Sequence, residues 1–305
     1  MKLLAPRYYL DFSCIADKCK HSCCIGWEID VDEKSMKKYS SLEDKYSENI
    51  RNSIEMEDTP HFKLAENERC PHLNKKGLCN IILNCGEDCL CDICREHPRF
   101  YNFTNLGKEV GIGMSCEAAC KLILDSDNFS EIVSISEDKN PIYATDFNAT
   151  KERSQIYKIL RDKNYDEGLY EKIETICDLY DIYIDEKDIK QILPNLEYLN
   201  QSHKELFLKF RTINIDNPTI ETKLTHAFAY FVYRHCSEAS DIEEFSISLT
   251  LAIVCTFLIS GLANDENIYE ISRIVSEEIE YSEDNIATIK NAFILDDEIC
   301  KKLFT

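Results

Sequence analysis

The sequence predicts a mainly α protein in two parts. A loop-rich, cysteine-rich, metal- or cluster-binding N-terminal domain occupies residues 1–130, and an all-helical bundle occupies residues 142–305. Three observations predict this. Twelve of the sixteen cysteines fall in the first 120 residues. Beyond them, apolar residues recur at three- and four-residue steps. Glycine is scarce, 8 in 305 residues, and no long alternating segment marks a strand.

Taken in order, Trp27–Val31 alternates and reads as a short strand or a turn entry. Asp32 to Tyr46 reads as a helix capped by Asp32. Cys116 to Leu124 reads as a helix start with Cys116 and Cys120 on one face. The rest of the first part reads as loop. Ser134 to Pro141 has breaker chemistry and is the expected linker.

Helical stripes follow at Ile156, Ile159 and Leu160, and at Leu169, Ile173, Ile176, Leu179 and Tyr180. Asp188 to Phe210 reads as two helices with Pro194 in a first turn. Thr219 is an expected N-cap for a helix through Leu224, Ala227, Phe228, Phe231 and Val232. Asp241–Glu244 has capping-box spacing ahead of the apolar run Ile247–Leu262. That run reads as a buried core helix rather than a membrane span. Glu266 to Tyr281 carries a last amphipathic stripe.

Composition narrows the function. Hydrophobic content of 44% and aromatic content of 10% describe a globular chain. The net charge is −21: residues 1–130 hold 17 Lys/Arg against 22 Asp/Glu, and the remainder 18 against 34. An acidic body repels phosphates, so no nucleic-acid partner is expected, and no membrane partner either. Met1–Arg7 has too short an apolar stretch for a signal peptide, so the chain is expected in a reducing, cytoplasmic compartment. Clustered thiols there point to metal rather than disulfides. Cys177, Cys236, Cys255 and Cys300 stand singly in apolar patterns and read as buried thiols.

A thiolate needs a soft metal and a fixed geometry, either a zinc tetrahedron or separate irons of a [4Fe–4S] cluster. Cys19-x3-Cys23 and Cys91-x2-Cys94 have the short spacers that let backbone amides turn toward sulfur. The adjacent Cys23 and Cys24 can serve two sites or one. Arg95 and Arg99 follow Cys94 closely and can balance cluster charge; His97 can ligate, donate to sulfur or pack. The C-x3-C-x2-C spacing of radical S-adenosylmethionine enzymes is absent, as are a Walker A loop and H-E-x-x-H. Gly107, Gly111 and Gly113 do not form a dinucleotide or methyltransferase fingerprint.

Several segments carry a family resemblance. Phe12-Ser-Cys14 with Cys19-Lys-His-Ser-Cys23-Cys24-Ile-Gly-Trp27-Glu-Ile-Asp30 resembles the opening of the cysteine-rich zinc/iron-chelating CxxCxxCC superfamily. Arg69-Cys70-Pro-His-Leu73 with Gly77-Leu-Cys79-Asn-Ile81 resembles its second segment. Leu90-Cys91-Asp-Ile-Cys94-Arg95-Glu-His-Pro98-Arg99 resembles its C-R-x-x-P segment, and Ser115-Cys116-Glu-Ala-Ala119 its closing helix. The order and spacing are similar, more narrowly, to the flagellin lysine-N-methylase family, over about 110 residues. The helical half matches only in character and placement.

The resemblance implies transfer of methyl groups from S-adenosylmethionine to lysine amines of flagellin. It also implies one or two [4Fe–4S] clusters, with zinc as the alternative. The matching ligand positions are Cys14, Cys19, Cys23, Cys24, Cys70, Cys79, Cys91, Cys94 and Cys116; Cys85, Cys89 and Cys120 fall where no ligand is expected. With no glycine-rich cofactor loop, the cofactor is expected near the cluster, Arg95 or Arg99 assisting its carboxylate. Glu28, Asp30, Tyr230, Tyr233, Arg234 and His235 are candidate polar pocket groups; catalytic residues are unassigned. Two other functions use the same cysteines: a non-catalytic zinc- or iron-binding interaction module, and an electron-transfer iron–sulfur protein.

Overall fold

The computed structural model describes residues 2–43, 45–137, 146–162, 168–212 and 218–293. Among these are thirteen α-helices and one four-stranded sheet, with a separate two-stranded hairpin. The chain is mainly α, as the periodicity predicts. The chain divides into two compact units. One holds residues 13–100 with 116–118; the other holds 1–12, 101–115 and 119–305. The division does not fall at one point along the sequence: the thiol-bearing residue 116 joins the first unit, and the N-terminal strand joins the helices.

The helical unit contains structure that periodicity does not reveal. Lys2–Pro6 pairs parallel with Gly107–Ile112 and antiparallel with Ile132–Glu137, and Arg99–Thr104 completes the sheet beyond Gly107–Ile112. The segment read as a linker therefore begins as a strand, because Ser134 and Ser136 find partners in Leu4 and Leu3. Residues 138–141 lie outside the described residues, as does Cys300.

Helices form where the stripes place them, at Ala149–Arg161, Leu169–Leu179, Glu186–Ile192, Gln201–Phe207, Pro218–His235, Ile242–Leu262 and Ile268–Glu280, and one further helix that the sequence reading did not name spans Glu283–Ala292. Pro194 sits in a short 3-10 turn, Leu193–Asn195, rather than opening an α-helix. Thr219 lies inside its helix, which starts at Pro218. Asp241 caps the next helix by accepting the Glu244 amide at 2.8 Å. The Glu244 carboxylate reaches back to the Ser240 amide, also at 2.8 Å. This is a capping box displaced by one residue.

Ile242–Leu262 extends five residues beyond the apolar run on its N-terminal side. At 21 residues it is long and apolar enough to cross a membrane by length and composition. Here every residue from Ser248 to Ser260 is buried, against the helices Pro218–His235, Ile268–Glu280 and Glu283–Ala292.

Sheet and helices are locked by buried polar groups. The Asn102 side chain donates to the Tyr233 carbonyl at 2.9 Å, and the Tyr233 hydroxyl donates to Val110 O at 3.2 Å. Arg153 grips Glu109 with two nitrogens, at 2.6 and 2.9 Å, and donates to Ser237 Oγ at 2.6 Å. Both charged side chains are almost wholly buried. Desolvation alone would make each costly, so the fork geometry and the full set of partners are what permit the burial.

Gln in place of Glu109 leaves Arg153 charged and unpaired in the interior. Glu109→Gln is expected to lower stability by about 3–5 kcal/mol in chemical denaturation, and a loss below about 1 kcal/mol would show the pair to be dispensable. Asp125 accepts from Lys121 at 2.7 Å, Tyr269 at 2.6 Å and Lys223 at 3.1 Å. Burial opposes its ionisation, but these bonds outweigh burial and pull it down to about 2. A depressed carboxyl stabilises above its unfolded value near ~3.9 and loses that contribution as pH falls through the folded value. Asp125→Asn should therefore cost on the order of 1 kcal/mol at neutral pH, discounted for its partial exposure. The difference from the parent should vanish toward pH 2 in acid titrations of thermal stability.

Candidate metal centre

The first unit is folded around sulfur. Its core cluster contains Ile29, Val31, Tyr39, Ile50, Phe62, Leu73 and Ile81, and with them the buried Cys70, Cys89 and Cys91. Cys24, Cys79, Cys85 and Cys94 pack against it, half-buried. None of the fifteen described cysteines is in a disulfide.

Each thiol-bearing segment is placed by a local device. Asp32 caps Glu33–Ser41, accepting the Ser35 amide at 2.9 Å, and its second oxygen accepts the Asp92 amide at 2.8 Å. One carboxylate thus ties the first helix to the start of the Cys91–Cys94 turn. The predicted helix stops at Ser41, short of Tyr46, and a second helix, Ser47–Asn52, follows. Trp27–Val31 forms no strand; only Asp30 makes a bridge, to His61. The Cys70 amide donates to the Cys24 carbonyl at 2.8 Å, fastening two cysteine segments together. Leu73 and Cys79 pair as an isolated bridge. The helix Asn80–Cys85 ends at Gly86, whose φ of 86° turns the chain toward Cys89 and Cys91. Tyr39 holds that turn by donating to the Cys89 carbonyl at 2.8 Å.

The nine predicted ligand positions form two neighbourhoods joined by the hydrogen bond between Cys23 and Cys24. Cys24 is within electrostatic range of Cys70, Cys79 and Cys94, and Cys79 of Cys91. Cys23 is in range of Cys14 and Cys116, and Cys19 of Cys116. Backbone amides donate to sulfur in the first group: His72 and Leu73 to Cys70, Ile81 and Ile82 to Cys79, and Cys94 to Cys91. In the second group the Ala16 amide donates to Cys14 Sγ at 3.4 Å.

Charge follows from burial and pairing. Burial pushes Cys70 up to about 12 and Cys19 up to about 11. The Cys23 thiol donates to Cys24 and pulls it down to about 7, aided by Ser22 and Arg69. The Cys94 thiol likewise donates to Cys91 and lowers it. Buried sulfurs of this kind become thiolates together only beside a strong positive centre. Among the described residues, no group of three or more His, Cys, Asp or Glu is placed to hold a single metal ion. The thiols as placed do not fit a ready zinc cage, whose four sulfurs crowd about 2.3 Å from one ion. The soft donors come from several segments, and backbone amides are aimed at three of the sulfurs.

The remaining sequence candidates are placed as follows. Arg95 is paired with Asp92 and Glu96 and donates to Leu90 O at 3.3 Å; Arg99 donates to Arg95 O at 3.3 Å. Both brace the Cys91–Cys94 turn. His97 packs edge-on to Trp27, ring centroids 5.6 Å apart, and burial lowers its pKa to about 4. Both ring nitrogens of His72 are occupied, by Tyr46 at 3.0 Å and Ser53 at 2.8 Å. Glu28 lies 3.6 Å from His61 and is mostly exposed.

Tyr230, Tyr233, Arg234 and His235 belong to the interior of the helical unit rather than to an open pocket. Three of them converge on Glu280: Tyr230 at 2.9 Å, Arg234 at 3.1 Å and His235 at 2.8 Å, with Ser276 as a fourth partner. Burial works to raise the Glu280 pKa, but Arg234, His235 and Ser276 hold it below the usual range. Cys116 and Cys120 do not share a helix face, because the helix starts at Glu117. Cys116 goes with the thiol unit, while Cys120 is buried in the other, donating to the Tyr269 carbonyl at 3.3 Å. Sequence reasoning missed Glu117, which accepts the Lys20 amide at 2.7 Å beside Cys19 Sγ at 3.6 Å; an isolated Glu carries no signal of such a partner.

These features define a mainly helical protein with a thiol-lined N-terminal unit. Over 130 residues, 40% of the chain, it is 25% identical to proteins named lysine-N-methylase from Salmonella choleraesuis and Salmonella typhimurium. Over 130 residues it is also 25% identical to the flagellar biosynthetic protein FliU of Salmonella muenchen. The matched stretch is 32% of each methylase and 77% of FliU, so the chain spans about a third of the methylases it matches. No family model and no solved structure matches it. The relatives support the resemblance to the flagellin lysine-N-methylase family.

Asp32→Ala removes a helix cap and the acceptor for the Asp92 amide together. It is expected to cost roughly 1–2 kcal/mol and to speed exchange of the Asp92 amide, read by hydrogen–deuterium exchange. Unchanged exchange at Asp92 would show that the carboxylate does not hold the turn.

Proposed function

We propose that the chain is a protein-lysine N-methyltransferase that uses S-adenosylmethionine, acts on flagellin, and depends on an iron–sulfur cluster in its N-terminal unit. The observation that carries the reading is the convergence of Cys24, Cys70, Cys79, Cys91 and Cys94 in one core, with amide donors on three of their sulfurs. The methylase and FliU names of the relatives point to the reaction and to a flagellar substrate. Two of the five thiols are hydrogen-bonded to each other, a contact that iron ligation replaces.

When bound, the cluster supplies an iron site able to chelate the amino and carboxylate groups of S-adenosylmethionine. The protein's own residues would do the rest. Arg95, held at the Cys91–Cys94 turn by Asp92 and Glu96, offers a guanidinium to a cofactor carboxylate, which would displace Asp92 as its partner. The target lysine must be neutral, and desolvation beside the apolar core favours that form. The acidic surface favours approach of a lysine-bearing protein.

The deciding assay uses anaerobically purified protein, labelled S-adenosylmethionine and flagellin. Label is expected on flagellin lysines, with brown protein and at least a 100-fold loss of transfer on Cys70→Ser or iron removal. Colourless, iron-free protein that binds S-adenosylmethionine fully would overturn the cluster reading. Iron-loaded protein that transfers nothing would overturn the methylase reading and leave the metal-binding module.

A further inference from the structure

The helical unit carries a cleft of about 170 Å3, lined by Asp181, Tyr183, Glu243, Ile247, Thr250 and Phe293 among others. Two element ends build it. The helix Leu169–Leu179 runs out into a left-handed turn: Asp181 has a φ of 52°, and the Ile182 amide closes the turn on the Cys177 carbonyl at 2.9 Å. That turn is fastened to the start of Ile242–Leu262. Ser246 Oγ donates to the Tyr180 carbonyl at 3.2 Å, and the Tyr180 ring packs on Phe245, centroids 5.2 Å apart. Asp181 from one end and Glu243 from the other thus line one hollow. Among the described residues no basic side chain lines it. Lys187 and Lys190 on the following helix are paired with Asp185 and Glu186, and Lys290, one turn before Phe293, donates to Ser248 Oγ at 3.0 Å. Aspartate also stands where glycine usually closes such a turn, with its charge at the negative end of a helix dipole. Leu179, Tyr183 and Ile242, on the same two element ends, are more than half exposed. Large apolar side chains gathered in water around a cleft mark a surface that meets another protein.

We propose that this cleft takes the side chain of a lysine, unmodified or N-methylated, presented by a partner protein. Its volume is below the roughly 300–1,000 Å3 of sites that enclose whole small molecules, and suits one long side chain. Ile247 and the rings of Tyr183 and Phe293 offer apolar and aromatic surface to the alkyl stem. Asp181 and Glu243 offer two negative charges to the ammonium, and the rings favour a cation whether or not it carries methyl groups. Residues 131–305 hold 18 basic against 34 acidic residues, a surplus that draws a basic partner toward this unit. The cleft binds the side chain and does no chemistry on it, so it requires neither the cluster nor methyl transfer.

The test is an NMR titration of the full chain, without S-adenosylmethionine, against a short glycine–serine peptide with one central lysine. Counterparts carry trimethyl-lysine, arginine or alanine at that position. The lysine or trimethyl-lysine peptide is expected to bind at least about fivefold more tightly than the alanine peptide, and Asp181→Asn/Glu243→Gln should abolish that margin. Asparagine suits the left-handed position and Asp241 still caps the helix, so the double variant should keep the parent circular dichroism. Tyr183→Ala, which leaves both carboxylates in place, should weaken binding as well. Preference for the unmodified or for the methylated side chain names the form that is read, and both support the inference. No margin over alanine, or a margin that neither variant changes, overturns it. Equal binding of the arginine peptide reduces the cleft to a general cation patch and also overturns it. So does a dimer of the parent that these variants dissolve, which would give the cleft to a second copy of the chain. Because the readout is binding alone, its failure is separate from any failure of methyl transfer.

Discussion

The short hydrogen bond from the Cys70 amide to the Cys24 carbonyl marks the constraint on which the N-terminal unit depends. Segments that carry thiols must be held side by side although nothing in their sequence makes them regular. The apolar core available for this is thin, and cysteines occupy a large share of it. Compensation comes from single groups that tie two segments at once: Asp32 to a helix and the Asp92 amide, Tyr39 to the Cys89 carbonyl, Glu117 to the Lys20 amide.

The helical unit obeys a different constraint. Its central helices are apolar nearly all round, so every charge inside must be matched. Arg153 with Glu109, and Arg234 and His235 with Glu280, do so with several hydrogen bonds each. Buried pairs of this kind specify an arrangement more than they stabilise it, because desolvation offsets most of the attraction. The polar side chains of Tyr230, Tyr233, Arg234 and His235, attractive as pocket groups in sequence, are used to register helices and sheet.

The functional reading therefore leans on the sulfur-bearing unit and on relatives that align with only part of the chain. The proposal draws on a thiol-rich core, arginines beside the Cys91–Cys94 turn and an acidic net charge.

Helix positions in the second half were legible because an amphipathic stripe is a local, periodic consequence of burial, as at Leu169–Leu179 and Ile268–Glu280. The clustering of the thiols was legible because their density is a property of the sequence itself. The strand Lys2–Pro6 was not, because its partners lie about a hundred residues away and its side chains do not alternate. Nor was the grouping of the thiols. Sequence alone determined the density of thiols in the first part and the helical scaffold of the second. Tertiary structure decided which sulfurs are neighbours, that Cys116 and Cys120 part company, and that Glu117 lies beside Cys19 and Lys20. Those outcomes depend on long-range packing and hydrogen bonding, which leave no periodic trace along the chain.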